Sequence, residues 1–280
     1  MDAGLNTPVY DFQLVSRVDG GMLTALTYDT LLNVDQEYRL VWKMPWSPVK
    51  CLYLWSRYGT FVDTALAVHI RTQLFVDPTT CHLVTSFIRI FAVIGSIITE
   101  LILTIRTYAL YERSSRLLIF LAVMWLAIGG VNIWALVLWT GSLSQVAGSP
   151  PNSCNLDSPQ NMGVVIYASL LVGETVVFAL TVWKGLSTFW LSRSIYRHSQ
   201  LVTTFYRDGI LFYLAIFVIL MVDVSLETAT PQGLKYIADS PLRVMQSVLA
   251  CHLVLHARDV ASREAFGDDT VVLDTMTAPF

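Results

Sequence analysis

Residues Leu83 to Arg116, LVTSFIRIFAVIGSIITELILTIRTYALYERSSR, decide the fold. The run begins two positions after Cys81, carries Glu100 in its second half and ends in Arg106, Arg113 and Arg116. An apolar helix of about 20 residues that ends in arginines reads as a membrane span whose basic end faces the cytoplasm.

The whole chain repeats this pattern. Hydrophobic residues make up 54% and charged residues only 14%, with a mean hydropathy of +0.56. Soluble domains carry roughly 25% charge, so the deficit points to lipid as the solvent. At about 20 residues per span, 280 residues accommodate seven spans with short loops and no separate soluble domain. The expected fold class is therefore all-α: a polytopic bundle of seven transmembrane helices, forming one domain over residues 1–256. An acidic tail, 257–280, has little to bury and is expected to be flexible. A net charge of -3, with the basic residues dispersed, gives no nucleic-acid surface. The first dozen residues, MDAGLNTPVYDF, lack a basic region followed by an apolar core. The chain is thus expected to start near Met1 and to be held by its spans.

The predicted spans are about 14–34, 51–70, 83–105, 117–140, 162–183, 209–224 and 240–256. The fourth holds no charge and is the clearest. The first is diluted by Arg17, Asp19, Gly20, Gly21 and Asp29, and the seventh by Pro241, Arg243 and Gln246. Between the first two lies DQEYRLVWKMPWSPVK, read as an interfacial loop in which Trp42, Lys43, Trp46 and Lys50 reach the headgroups while Pro45 and Pro48 end any helix. In the second span Arg57 and Asp63 fall on different faces, and each must meet protein or water. Arg89 is near enough to an end to snorkel outward.

Basic residues set the orientation. With seven spans, one side collects Arg39, Lys43, Lys50, Arg106, Arg113, Arg116, Lys184, Arg193, Arg197, Arg207, Arg258 and Arg263, against Arg17, Arg71 and Lys235 on the other. The positive-inside rule puts the larger group in the cytoplasm, with the N-terminus outside and the C-terminus inside. Cys81 and Cys154 then share the oxidising side, where a disulfide would tether the loop between spans four and five. The alternative is two free thiols. Cys51 and Cys251, near the inner face, read as small apolar residues.

An ionised acid inside a bilayer costs about 2.5–3.5 kcal/mol on insertion scales, so Asp63, Glu100 and Glu174 should face the bundle interior. They read either as functional polar groups or as structural ties between helices. A retinal protein needs a Schiff-base lysine in the seventh helix, and none lies between Ser240 and His256. His252 and His256 have metal-ligand spacing, but His69 and His82 sit a bilayer thickness of about 30 Å away, so no zinc site is expected. Neither a G-x-S-x-G sequence nor a Gly-rich phosphate loop is present, so no enzyme activity, cofactor or catalytic residue is expected. Paired repeats with matching broken helices, the mark of many carriers, are not evident.

Several stretches together resemble one group: ALTYDTLLNVDQEYRLVWKMPWSP from Ala25, Arg57 and Tyr58 with Asp63, RTYALYERS from Arg106, GETVVFALTVWKG from Gly173 and FYRDGIL from Phe205. The chain is similar to fungal integral membrane proteins carrying the domain of unknown function 6533, over most of its length up to the seventh span. The resemblance implies a receptor-like seven-helix topology. Arg106 with Tyr108 is loosely like the Arg-Tyr switch of G-protein-coupled receptors, with Thr107 between them and Ile105 where an acid would stand. The comparison is therefore at the level of fold.

The expectation is a receptor-like signalling protein of the plasma membrane, surrounded by lipid bilayer. A small-molecule or lipid ligand would bind outside, and a cytosolic signalling protein would be met inside through Arg106, Tyr108, Arg207 and Asp208. The alternative is a secondary transporter or proton-coupled carrier using Asp63, Glu100 and Glu174.

Overall fold

The computed structural model describes residues 7–73, 77–112, 114–145, 154, 156–157, 162–192, 200–229 and 237–277, with side chains over 13–73, 77–112, 114–143, 154, 162–187, 213–229, 237–259 and 262. These residues contain seven α-helices: α1 Thr7–Glu37, α2 Pro48–Thr72, α3 Pro78–Leu110, α4 Ser115–Gly141, α5 Met162–Ser192, α6 Gln200–Ala229 and α7 Asp239–Thr277. Between α4 and α5 two short strands pair antiparallel, β1 Ser144–Gln145 with β2 Leu156–Asp157, Ser144 opposite Asp157.

Local chemistry starts the helices. Ser47, extended at φ -147°, accepts from the Lys50 backbone N–H at 3.2 Å, and Pro48 stands at the first helical position of α2. Asp77 accepts from Thr79 and Thr80 N–H at 3.1 and 3.3 Å ahead of Pro78 in α3. Both are N-caps followed by a proline whose missing N–H costs nothing there. Glu112, at φ 54°, takes the chain out of α3 in the left-handed region, a turn that costs a non-glycine residue about 1–2 kcal/mol.

Three helices are long and apolar enough to cross a membrane: α3, α4 and α5 over Met162–Ser187. On α4, Leu121, Ile128, Asn132, Ala135 and Trp139 are buried, while Ile119, Leu126, Ile133 and Val137 are 64–76% exposed. A helix apolar on its outward face as well as its inward one suits lipid, because water would charge for every exposed methyl group. Buried charged residues are Glu100 on α3 and Glu174 on α5, and, on the other four helices, Asp19 and Glu37 of α1, Lys50, Arg57 and Asp63 of α2, Asp223 and Glu227 of α6 and Arg243 of α7.

The main core packs α3 to α7 through Leu103, Leu121, Ile166, Leu170, Tyr213 and Leu220. A second cluster joins Val41, Tyr53, Ile102, Cys251 and Leu255 at one end. A third surrounds a disulfide between Cys81 and Cys154, Cα–Cα 5.5 Å, and marks the other, disulfide end.

Three expectations change. The segment 35–50 is mostly helix: α1 continues to Glu37, a π-helical turn follows over Tyr38–Trp42, and Pro48 starts a helix rather than ending one. Lys50 is buried, its Nζ donating to the carbonyls of Trp42 and Met44 at 3.1 and 2.8 Å, so it ties down the turn that leaves π-helical carbonyls open. Residues 257–277 lie on the continuation of α7. Arg89 does not snorkel: it pairs with Asp239 at the start of α7 and lies 4.6 Å from the Trp139 ring centre.

Candidate functional site

At the disulfide end a cavity of about 90 Å³ lies between α2, α3, α5 and α7, with Cys154 in its wall. A single water needs roughly 10–15 Å³ by this measure, so the space admits a molecule of a few heavy atoms. Asp63, Arg71, Arg89, Tyr167, Asp239 and Arg243 supply its polar surface.

These charges are paired across helices. Arg71 on α2 meets Asp19 on α1 at 3.2 Å, and Asp19 accepts from Ser240 Oγ of α7 at 2.6 Å. Arg89 on α3 meets Asp239 of α7, which also accepts from Tyr167 Oη of α5 at 2.8 Å. Arg243 Nε on α7 donates to Asp63 Oδ2 on α2 at 2.9 Å. Three ion pairs thus gather α1, α2, α3, α5 and α7 round one space. Arg243 is only 5% exposed, and its Nη1 and Nη2 make no hydrogen bond among the described residues. Two buried donors without acceptors, in the wall of a cavity, are what an acceptor-bearing ligand would satisfy.

The polar contacts continue down α7. Gln246 Oε1 accepts from Ser96 Oγ at 3.2 Å, Ser247 Oγ donates to the Ser56 carbonyl at 2.7 Å, and Ser56 Oγ lies 3.3 Å from Thr99 Oγ1. Farther on, His252 Nε2 is 2.8 Å from Asp29 Oδ1, and Asp29 Oδ2 accepts from the fully buried Arg57 Nη1 at 2.6 Å. Glu37 closes the group, 3.8 Å from Arg57 Nε and accepting from Tyr58 Oη at 2.7 Å and Trp42 Nε1 at 3.1 Å. Among the described residues no three His, Cys, Asp or Glu side chains converge as a metal site.

Of the expected acids, Asp63 belongs to this column and the other two do not. Glu100 on α3 and Glu174 on α5 are fully buried and adjacent to one another, and neither carboxyl bonds to a third residue among those described. Two neighbouring carboxyl groups with no third partner make this contact between α3 and α5 a costly one to bury among apolar side chains.

At the end opposite the disulfide, Arg106 lines a second cavity with Thr107, Thr181 and Tyr213. Thr107 Oγ1 lies 3.0 Å from Thr181 Oγ1 and 3.2 Å from Tyr213 Oη, tying α3, α5 and α6 together. Tyr108, two positions on and so about 200° round the helix, is half-buried and off this cavity. Arg207 and Asp208 fall on α6, where their side chains lie outside the described residues.

Sequence reasoning missed the α7 stripe. Ser240, Arg243, Gln246 and Ser247 weaken that helix as a lipid span, yet their spacing of three and four puts them on one face, and that periodicity was the available signal.

No curated protein and no solved structure matches the chain. A family model does match residues 20–62, which run from within α1 through the π-helical turn into α2. That segment holds Asp29, Glu37, Arg57 and Tyr58, the charged end of the column. Over this hairpin the chain is similar to the family of unknown function DUF6533.

Proposed function

We propose that the chain is a seven-span, receptor-like protein of the plasma membrane, without enzyme activity, its N-terminus outside and its C-terminus in the cytoplasm. The disulfide end then faces outward. A small polar ligand with a carboxylate or carbonyl acceptor enters the ion-paired cavity and engages Arg243 Nη1 and Nη2. The observation that carries this reading is Arg243 itself, held to α2 through Nε and presenting two unsatisfied donors to the cavity.

Helices α1, α2, α6 and α7 carry more charge than a lipid-facing span, but pairs such as Asp19–Arg71, Asp29–Arg57 and Asp63–Arg243 turn that charge inward. This supports seven spans over three. A ligand acceptor competes with Asp63 for Arg243, biasing α7 between two packings, and the polar contacts along α7 carry the shift towards His252 and Arg258. A cytosolic partner reads it beside Arg106. The carrier alternative rests on Glu100 and Glu174. It loses its third acid, because Asp63 is engaged by Arg243 at a different interface.

The test needs no ligand. Asp63→Asn breaks the outer pair, and a bimane probe at Ala257→Cys, at the opposite end of α7, reads the response. The reading expects a changed emission. Unchanged emission, together with proton flux in proteoliposomes that Glu100→Gln abolishes, would replace it with the carrier.

A further inference from the structure

We infer that the outer cavity takes a small zwitterionic α-amino acid, its carboxylate on Nη1 and Nη2 of Arg243 and its ammonium on the carboxylate of Asp239. This rests on the proposed outer ligand site and names the class of molecule that fits it.

Register on α7 is the first argument. Asp239 and Arg243 are four residues apart, which puts their Cβ atoms about 5–6 Å from one another on one helix face, and both line the cavity. Opposite charges at this spacing usually pair along the helix. Here each turns to another helix instead, Asp239 to Arg89 and Tyr167 and Arg243 to Asp63. A negative and a positive pole are thus held apart at one cavity, and both keep hydrogen-bonding capacity. Arg243 offers Nη1 and Nη2. An ionised carboxylate has about four acceptor positions, and Arg89 and Tyr167 take one on each oxygen of Asp239. The poles also differ in depth, the Asp239 side chain being 16% exposed and that of Arg243 6%. A ligand entering from the disulfide end therefore carries its carboxylate in first and leaves its ammonium at the rim.

Charge balance is the second. Arg71, Arg89 and Arg243 are matched by Asp19, Asp239 and Asp63, and Asp223 of α6 is buried near Asp239, with Glu227 one turn on. A lone carboxylate would bring a negative charge that no cation is left to balance. A lone amine would leave the Arg243 donors unmet. A zwitterion adds no net charge and meets both poles, and carboxylate on guanidinium is a charge-assisted, bidentate contact. Size is the third. A cavity of about 90 Å³ holds roughly six to nine water-sized groups at about 10–15 Å³ each, enough for glycine, alanine or serine and too few for an aromatic amino acid.

The probe is tritiated L-alanine, added to the full-length protein in phosphatidylcholine nanodiscs, with glycine, propionate, ethylamine and L-phenylalanine as competitors. Saturable binding displaced by glycine is expected. Propionate and ethylamine, which carry one pole each, should compete at least tenfold more weakly. Binding should be lost in Asp63→Leu/Arg243→Met, whose matched apolar replacement is expected to fold, and should weaken at least tenfold in Asp239→Asn. Propionate or ethylamine as effective as glycine would reduce the site to one pole, and phenylalanine as effective as glycine would put it outside this cavity. Either result overturns the inference, as does binding unchanged in both variants. An absence of saturable alanine binding to the wild type overturns it too, while the emission at Ala257→Cys, which needs no ligand, still decides the receptor reading on its own.

Discussion

Gly95 on α3 faces the guanidinium of Arg243 on α7 so closely that a Cβ at this position would overlap it, with Nε 3.0 Å away. The absence of a side chain on α3 is therefore what lets a buried arginine lie flat between three helices and reach Asp63 on α2.

Gly95→Ala is expected to destabilise the protein by about 1–3 kcal/mol, the usual cost of overpacking, because Nη2 and Cζ of Arg243 must move, and Cζ carries the Nε that holds Asp63. Arg243→Met removes the obstruction, so the loss caused by Gly95→Ala should shrink in that background. Thermal unfolding in detergent micelles reads both. Equal losses in the two backgrounds would show that Gly95 serves something other than Arg243.

Asp63→Asn leaves the Arg243 charge buried without its counter-ion. Breaking a buried pair from one side costs about 3–5 kcal/mol, whereas replacing both members by apolar residues of similar size is often neutral. Asp63→Leu/Arg243→Met should then recover most of the stability that Asp63→Asn loses, while abolishing any response to an outer ligand. A double variant as unstable as the single one would mean that the pair does more than neutralise itself.

The apolar helices were legible from residue types alone, since α3, α4 and α5 need only length and hydropathy to be recognised. Cys81 and Cys154 were legible once the basic residues had assigned the loops to sides. The partners were not: Arg89 with Asp239, Asp63 with Arg243 and Glu100 with Glu174 each join helices distant in sequence. Charge type shows that a partner must exist, and only packing says which. Lys50 misled for a related reason. A lysine among tryptophans looks interfacial, but the last carbonyl of the π-helical turn, at Trp42, and that of Met44 just after it accept from its ammonium.

The disulfide closes a separation of 73 residues. In the loop-entropy model such a closure stabilises by about 4 kcal/mol at most, and measured values usually fall at 2–4 kcal/mol. Cys154→Ser should lower the unfolding midpoint, and a reductant should lower the wild-type midpoint to match while leaving Cys154→Ser unmoved. Peptide mapping without reduction should recover the Cys81 and Cys154 peptides as one species. Separate peptides, each with a free thiol, would remove the tether from the outer cavity.

Orientation has its own test, because every functional role above depends on which end meets the cytosol. In a Cys51→Ser/Cys251→Ala background the bridged cysteines do not react with maleimides, so a single introduced thiol reports alone. Ser142→Cys lies at the disulfide end, just past α4, and Ser114→Cys lies exposed at the opposite end, just before it. With the basic residues inside, an impermeant maleimide should label Ser142→Cys in intact cells and Ser114→Cys only after permeabilisation. The reverse pattern would turn the molecule over, placing the ion-paired cavity in the cytosol and the cavity lined by Arg106 outside. A disulfide at the inner end would then sit in a reducing compartment where such bonds rarely persist, so labelling and the redox state of Cys81 must agree for either orientation to hold.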